Sequence, residues 1–315
     1  MPPKLGRFPA VKTCLSQTDN TDIRLTGRRQ VLGLLGASAL AAPRAQAAGP
    51  AKIKQVVAAW PFFTGAGWSP ADLIRHARDL GLAGVELFPV EHWPLLKGTG
   101  LVCAATKSHT FVRGMNNKGH HPECFKALTD AIEATSAHGF PNVMTFTGLG
   151  DTSDHPNGSV VAPEEGRRNC IEGYKKMAAL AEKHKVTLVL EPLNSRVDEH
   201  MMGHPGYQGD HLDECLDIVR AVSSPGLKVL FDAYHIQIMD GDLVRRIRKH
   251  HEFIGHVQVA GNPGRGVIDD TQEINYRAVM KAFQEVNYAG YVGHEWLPRG
   301  NALEELRKAV AICNV

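Results

Sequence analysis

The sequence predicts an α/β fold, a (β/α)8 TIM barrel forming a single domain behind an N-terminal leader. Three observations predict it. From residue 53 to the C-terminus the chain alternates strand and helix patterns through eight units. The strand segments are short apolar runs without a charge in their middles, as strands of a parallel sheet buried on both faces require. Four consecutive strands, the fifth to the eighth, then end in an oxygen-bearing side chain. A doubly wound open sheet shares the alternation and is the alternative architecture.

The first strand is read as Ile53 to Trp60, followed by Ser69-Pro70, which caps a helix carrying Leu73, Ile74, Ala77 and Leu80 at helical spacing and closed by Gly81. The second strand, Leu82 to Phe88, contains Glu86 near its end, a residue suited equally to substrate contact or to a structural hydrogen bond. A short helical piece at Trp93 to Lys97 leads to a third strand, Leu101 to Thr106, and then to a helix over Pro122 to His138. The fourth strand is Asn142 to Thr147, and the turn-rich loop beginning at Gly148 leads to a helix over Glu164 to His184. Lys185-Val-Thr-Leu-Val-Leu-Glu191-Pro-Leu-Asn194 is the fifth strand and its end, and the last three strands follow the same grammar. Helices at His211 to Val222, Asp242 to His250, Tyr276 to Val286 and Leu303 to Ile312 complete the units.

Residues 1–47 read differently from the rest. Arg28-Arg29 precede a short apolar run, Val31 to Ala42, and the small-residue site Ala45-Gln46-Ala47. That order is expected of a twin-arginine export signal with a periplasmic destination and a mature domain over 48–315. The apolar run is too short to span a bilayer, and cleavage or retention of the segment is left open. Residues 1–47 take seven of the 35 basic and two of the 33 acidic residues, which leaves 28 against 31 and a net charge of −3. No basic footprint for nucleic acid remains. Cys103, Cys124, Cys170, Cys215 and Cys313 are widely spaced without a CxxC pair and read as small buried hydrophobes.

In a barrel the C-terminal ends of all strands open on one face, where active sites sit. Glu191, Asp232, Gln258 and Glu295 would converge there. Three carboxylates and an amide oxygen are hard ligands suited to Mg²⁺ or Mn²⁺. Without a cation such a group would repel itself strongly. His235, three residues past Asp232, is placed to point into the same mouth, and Asn194 and Arg196 lie just beyond the fifth strand as further substrate-contact candidates. No nucleotide cofactor is expected.

Glu191-Pro-Leu-Asn, Phe231-Asp-Ala-Tyr-His-Ile-Gln237, His256-Val-Gln-Val-Ala, Asn262-Pro-Gly-Arg265 followed by Glu273-Ile-Asn-Tyr276, and Gly290-Tyr-Val-Gly-His-Glu295 together resemble the hydroxypyruvate isomerase group of the xylose-isomerase-like sugar isomerases and epimerases. The resemblance runs over roughly residues 53 to 312 and is strongest from 185 onward. It implies a divalent metal held by Glu191, Asp232, Gln258 and Glu295, with Glu191 and Glu295 as the acid–base pair and His235 and Arg265 as donors to substrate oxygens. The implied reaction interconverts small hydroxy-ketones and hydroxy-aldehydes by proton transfer through an enediolate. A keto-sugar epimerase, an oxidised-sugar lyase and a non-catalytic binding barrel are the alternatives. A small hydroxy-carbonyl or sugar substrate is the expected partner, and homo-oligomerisation is open.

The chain departs from the group in two loops. Gly261 follows Ala260 and Val267-Ile-Asp-Asp-Thr-Gln272 stands where an acidic residue and a Gly-rich turn are usual, and Val197 to His204 enlarges the loop after the fifth strand. Both loops line the expected mouth, so they bear on substrate rather than on chemistry.

Overall fold

The computed structural model describes residues 53–315, so the twin-arginine segment expected over 1–47 lies outside the described residues. The described chain is a closed barrel of parallel strands wrapped by helices. Its strands are β1 (Lys54–Ala58), β2 (Gly84–Glu86), β3 (Val102–Cys103), β4 (Asn142–Thr145), β5 (Thr187–Leu190), β6 (Leu227–Asp232), β7 (Ile254–Val259) and β8 (Tyr291–His294). They pair in the order β3-β2-β1-β8-β7-β6-β5-β4. The ring closes beyond β3 through a parallel bridge between Thr106 and Val143, with Thr106 N donating to Asn142 O and Met144 N to Thr106 O, both at 2.9 Å.

Strand alternation sorts the side chains. On β5, β6 and β7, Leu188, Leu190, Val229, Phe231, Val257 and Val259 pack outward in the core shared with the helices. Val189 and Leu230 face inward, where they meet Leu87 and Met144 in a separate layer inside the barrel. Glu191, Asp232, Gln258 and Glu295 all fall on that inward parity, one step above the apolar plug.

The helices are α1 (Ala59–Gly65), α2 (Pro70–Asp79), α3 (His121–Ala137), α4 (Pro163–His184), α5 (Leu212–Val222), α6 (Ala233–Met239), α7 (Leu243–His250), α8 (Tyr276–Glu285) and α9 (Ala302–Cys313). Helix α2 begins in a reciprocal capping box, Ser69 bonded to the Asp72 amide and Asp72 to the Ser69 amide, with Pro70 in the first turn. Helix α4 ends where Lys185 turns left-handed at φ 57°.

The barrel expected from sequence is present, with local differences. The first strand stops at Ala58, because Trp60-Pro61-Phe62-Phe63 coils into α1. The third strand keeps only two paired residues, and the piece after β2 is a 3₁₀ helix over Val90–Leu96. A short helix, α6, follows β6 directly because the Asp232 carboxylate caps it, accepting from the Tyr234 amide at 2.8 Å. All five described cysteines are free and buried, as expected of small core residues.

Tyr276 at the start of α8 ties that helix to the end of β7, its hydroxyl accepting from Ala260 N at 3.0 Å and donating to Ala260 O at 2.5 Å. Tyr276→Phe strands both backbone groups and is expected to cost about 1–3 kcal/mol. Thermal unfolding reads this as roughly 2–4 °C for each kcal/mol in a domain of this size. An unchanged midpoint would mean that water replaces the hydroxyl without loss.

Candidate active site

Glu191, Asp232, Gln258 and Glu295 are all buried at the C-terminal end of the barrel, together with His235 and Arg265. Asp232 and Gln258 are direct register partners across β6 and β7, so their side chains leave the sheet at one level. Glu191 and Glu295 each stand one residue past their strand, pinned by backbone bonds from Glu191 N to Thr145 O and from Glu295 N to Val259 O. Tyr207 adds a further pin, accepting from Thr147 N and donating to the Glu191 carbonyl, both at 2.9 Å.

Several polar atoms here have no partner, although buried polar groups are nearly always paired. They are Glu191 Oε1, Asp232 Oδ2, Gln258 Oε1 and His235 Nε2. Ligand atoms of Glu191, Asp232 and His235 lie within 4.8 Å of one another. Burial pushes the Glu191 carboxyl well above its ordinary range, reinforced by Glu295 and Asp232. Asp232 is pushed up to about 7, again mainly by burial, against the opposing charge of Arg265. Orphaned anionic oxygens, mutually repelling and stripped of water, fit a divalent cation well.

His235 is set apart from those oxygens by its tautomer. The backbone amide of Asn194 donates to its Nδ1 at 3.2 Å, and Asn194 Nδ2 approaches the same atom at 2.6 Å. A ring nitrogen that accepts a backbone N–H carries no proton, so in the neutral ring the proton is on Nε2. Burial keeps the ring neutral by pushing its pKa far down. His235 Nε2, 3.6 Å from Asp232 Oδ2, is therefore an N–H donor aimed into the site rather than a lone pair for a metal.

Glu295 differs from Glu191 in having both oxygens engaged. Trp60 Nε1 donates to Oε1 at 2.5 Å, and Arg265 Nη2 donates to Oε2 at 2.7 Å. Burial raises its pKa, and the Arg265 charge and these two bonds oppose the rise. Arg265 sits over the Trp60 ring at 5.2 Å and donates from Nη1 to Met201 O at 3.0 Å. Its backbone is left-handed at φ 48°, between Gly264 and Gly266. A non-glycine residue held there costs of order 1–3 kcal/mol, and the return is a buried guanidinium on Glu295.

Two expected substrate contacts are placed otherwise. Arg196 is exposed and donates from Nη1 to Ile238 O at 2.8 Å, outside the cavity wall. Its position just past β5 suggested the mouth, but the loop turns it outward. Asn194 is buried, with Nδ2 engaged by His235 and by Met202 O at 2.9 Å and Oδ1 by Val197 N at 3.2 Å. It orients His235 and the loop and does not line the cavity. Trp60 and Tyr207 were not singled out from the sequence. The one signal Trp60 carried was an indole N–H, which needs an acceptor when the ring packs into the barrel mouth.

A cavity of 720 Å³ opens onto the site. Glu191, Glu295 and Arg265 form one wall; Trp60, Leu87, Met144, Phe146 and Phe111 form an apolar one; residues 198–205 cover it. His204 from that cover meets Phe111 edge-to-face with ring centroids 4.3 Å apart, and its ring centroid lies 5.7 Å from that of His235.

Residues 74–313 match the model of the xylose isomerase-like TIM barrel family. The chain belongs to that family. Within it, the chain is 29% identical over 266 residues to a human protein named putative hydroxypyruvate isomerase, covering 84% of this chain and 86% of that one. It is 29% identical over 241 residues to the 2-oxo-tetronate isomerase of Pectobacterium atrosepticum, covering 75% and 89%. The crystal structure of a Brucella melitensis protein titled AP endonuclease, family 2, superposes with a TM-score of 0.69 at 27% identity, over 81% of this chain and 97% of that one.

Nitrogen NMR of the chain labelled in histidine tests the tautomer. His235 is expected to show a protonated Nε2 and a bare Nδ1 near neutral pH. A proton on Nδ1 would remove Nε2 as a donor beside Asp232.

Proposed function

We propose that this protein is an isomerase that interconverts small hydroxy-ketone and hydroxy-aldehyde compounds with a divalent cation, Mn²⁺ or Mg²⁺. The observation that carries the reading is the set of orphaned oxygens of Glu191, Asp232 and Gln258 at the C-terminal end of the barrel, where Glu191 opens onto the cavity beside a second glutamate held by Arg265 and Trp60. Relatives named for hydroxypyruvate and for 2-oxo-tetronate support a substrate with a carbonyl next to a hydroxyl-bearing carbon. Glu191, Asp232 and Gln258 would hold the cation, with Glu295 completing the set by exchanging one of its present donors. Bound there, the cation supplies a Lewis acid that lowers the cost of negative charge on the substrate's oxygens.

The protein's own groups do the rest. Glu295 is the base: hydrogen bonds to both oxygens and the Arg265 charge favour its ionised form, ready to take the proton from the carbon beside the carbonyl. It would return that proton to the neighbouring carbon, while Glu191, ionised once it holds a cation, would carry the hydroxyl proton to the former carbonyl oxygen, so that both carboxylates end the cycle as they began it. His235 Nε2–H donates to a substrate oxygen, and the cover of residues 198–205 limits water. A DNA-cleaving function has weaker support, since the described residues hold one metal-competent cluster with a single histidine and the chain from residue 48 is net acidic.

A keto-sugar epimerase is the second reading, favoured by a cavity large for a three-carbon acid and walled by aromatic rings that suit sugar C–H faces. We also propose that residues 1–47 direct twin-arginine export and that 48–315 is the working domain. No helix among the described residues is long and apolar enough to cross a membrane.

Proton NMR in D₂O with Mn²⁺ or Mg²⁺, offering hydroxypyruvate, 2-oxo-tetronate and keto-hexoses, tests the chemistry. Deuterium is expected at the carbon beside the carbonyl, and Glu191→Gln and Glu295→Gln should each slow exchange by roughly 10²–10⁴-fold. Isomeric products support the first reading and epimeric products the second. Binding without exchange in any panel member would count against both.

Stability against pH tests the cation site independently. A carboxyl whose folded pKa is raised, as Asp232 is from 3.8 to about 7, contributes stability that is complete below its unfolded value and is lost as pH rises through 7. Without cation these groups should therefore make the fold weaker at pH 8 than at pH 5. Mn²⁺, which binds the ionised carboxylates, should raise the melting temperature more at pH 8 than at pH 5. An equal rise at both would place the metal elsewhere.

A further inference from the structure

Beneath the proposed cation site lies a second buried polar cluster, and we infer that its carboxylate, Glu86, is the positioning residue that makes Gln258 a cation ligand. The inference rests on the metal reading above. An amide side chain is a poor ligand unless its oxygen is turned toward the ion, because its other end presents two N–H groups that a cation repels. Gln258 must therefore be fixed in one of two flips of nearly equal shape.

Glu86 makes that choice. It is completely buried on β2 and accepts from Gln258 Nε2 at 3.0 Å through Oε1. In this contact the Gln258 amide nitrogen faces Glu86 and the amide oxygen faces away. Gln258 Oε1 is then left without a partner, at the level of Asp232. His256, two residues earlier on β7 and of the same inward parity, approaches Oε2 of Glu86 through Nε2. That second contact stops the carboxylate from rotating away. Glu86 acts here through Gln258 and takes no proton from substrate.

The geometry depends on a glycine. Glu86 stands on β2 and Gln258 on β7, with β1 and β8 between them in the sheet order. The carboxylate crosses the barrel over Gly293 of β8, which is the register partner of Gln258. A Cβ at position 293 would lie 2.2 Å from both oxygens of Glu86. A side chain there would close the passage. A carboxylate that merely filled the barrel floor would need neither this gap nor two donors from β7.

The test is Mn²⁺ affinity of the full chain, stripped of metal and titrated while the electron paramagnetic resonance of free Mn²⁺ is followed. Glu86→Leu and Gln258→Ala should each weaken binding by about ten- to a hundredfold, the usual effect of losing an outer partner of a ligand. If Glu86 acts through Gln258, Glu86→Leu made in the Gln258→Ala background should cost less than about threefold more. Equal losses in both backgrounds would overturn the inference, leaving a through-space charge effect. Gly293→Ala guards against a variant that fails to fold. It keeps every charge and displaces only the carboxylate, so a folded Gly293→Ala chain should also bind Mn²⁺ at least tenfold more weakly. Unchanged affinity there would overturn the inference as well. A wild-type chain that binds no Mn²⁺ would overturn the metal reading and this inference with it, whereas wild-type binding with additive losses would sink the Glu86 role alone.

Discussion

The structure depends on one electrostatic constraint, the burial of like charges in a space walled off from water. Glu191, Asp232 and Glu295 share the top of the barrel, and Glu86 lies just below, adding its own repulsion to Glu191 and Glu295. In a low-dielectric interior such a group persists only if it is protonated, paired or ligated. Each carboxylate has a different answer. Glu86 is paired with His256 and Gln258; Glu295 with Arg265 and Trp60; Asp232 spends one oxygen on capping α6. Glu191 Oε1 and Asp232 Oδ2 have no protein answer. Supporting pairs thus leave unpaired oxygens in one place, which distinguishes a built site from a crowded one.

The same constraint explains the strained and immobile parts nearby. Arg265 is the counter-charge that reaches Glu295, and its left-handed backbone between glycines is what brings the guanidinium inward. From there it also fastens the cover by donating to Met201 O, while Asn194 and Tyr234 donate to Met202 O. Three residues of the site floor thereby hold two consecutive carbonyls of the loop. Anything that moves Arg265 or His235 must be felt by the segment over the cavity, so loop position and site geometry are parts of one network.

Much of this was legible in the sequence because strands have a period of two. An apolar run ending in Glu, Asp or Gln, repeated over four strands, fixes both the architecture and the face on which those side chains meet. Glu86 was legible as a buried carboxylate but not in its role, since its partner lies across the barrel and its route depends on the missing side chain of Gly293. Trp60 was hidden because α1 begins within the apolar run that reads as strand. Arg196 shows the opposite failure: proximity in sequence to a strand end says little once a loop has room to turn. Loops answer to the contacts of individual side chains, and those are not periodic.

Glu191 and Glu295 differ in their neighbours rather than in their chemistry, which is identical. Trp60 and Arg265 present N–H donors to Glu295, and hydrogen bonds from donors are stronger to a carboxylate than to a carboxylic acid. Glu191 receives none at Oε1 and faces three other acids, Glu295, Asp232 and Glu86. Burial raises all three carboxyls, and at Glu295 the Arg265 charge and bonds to both oxygens oppose that rise. A cation bound at Glu191 and Asp232, as proposed, would have to displace any proton they carry, which would couple its binding to pH through the ligands. Trp60 and Arg265 lie far apart in the chain, one in α1 just after the first strand and one in the loop after the seventh. Pairing of β1 and β7 on either side of β8 brings both donors to Glu295, so its hydrogen bonds depend on strands far apart in the chain lying side by side.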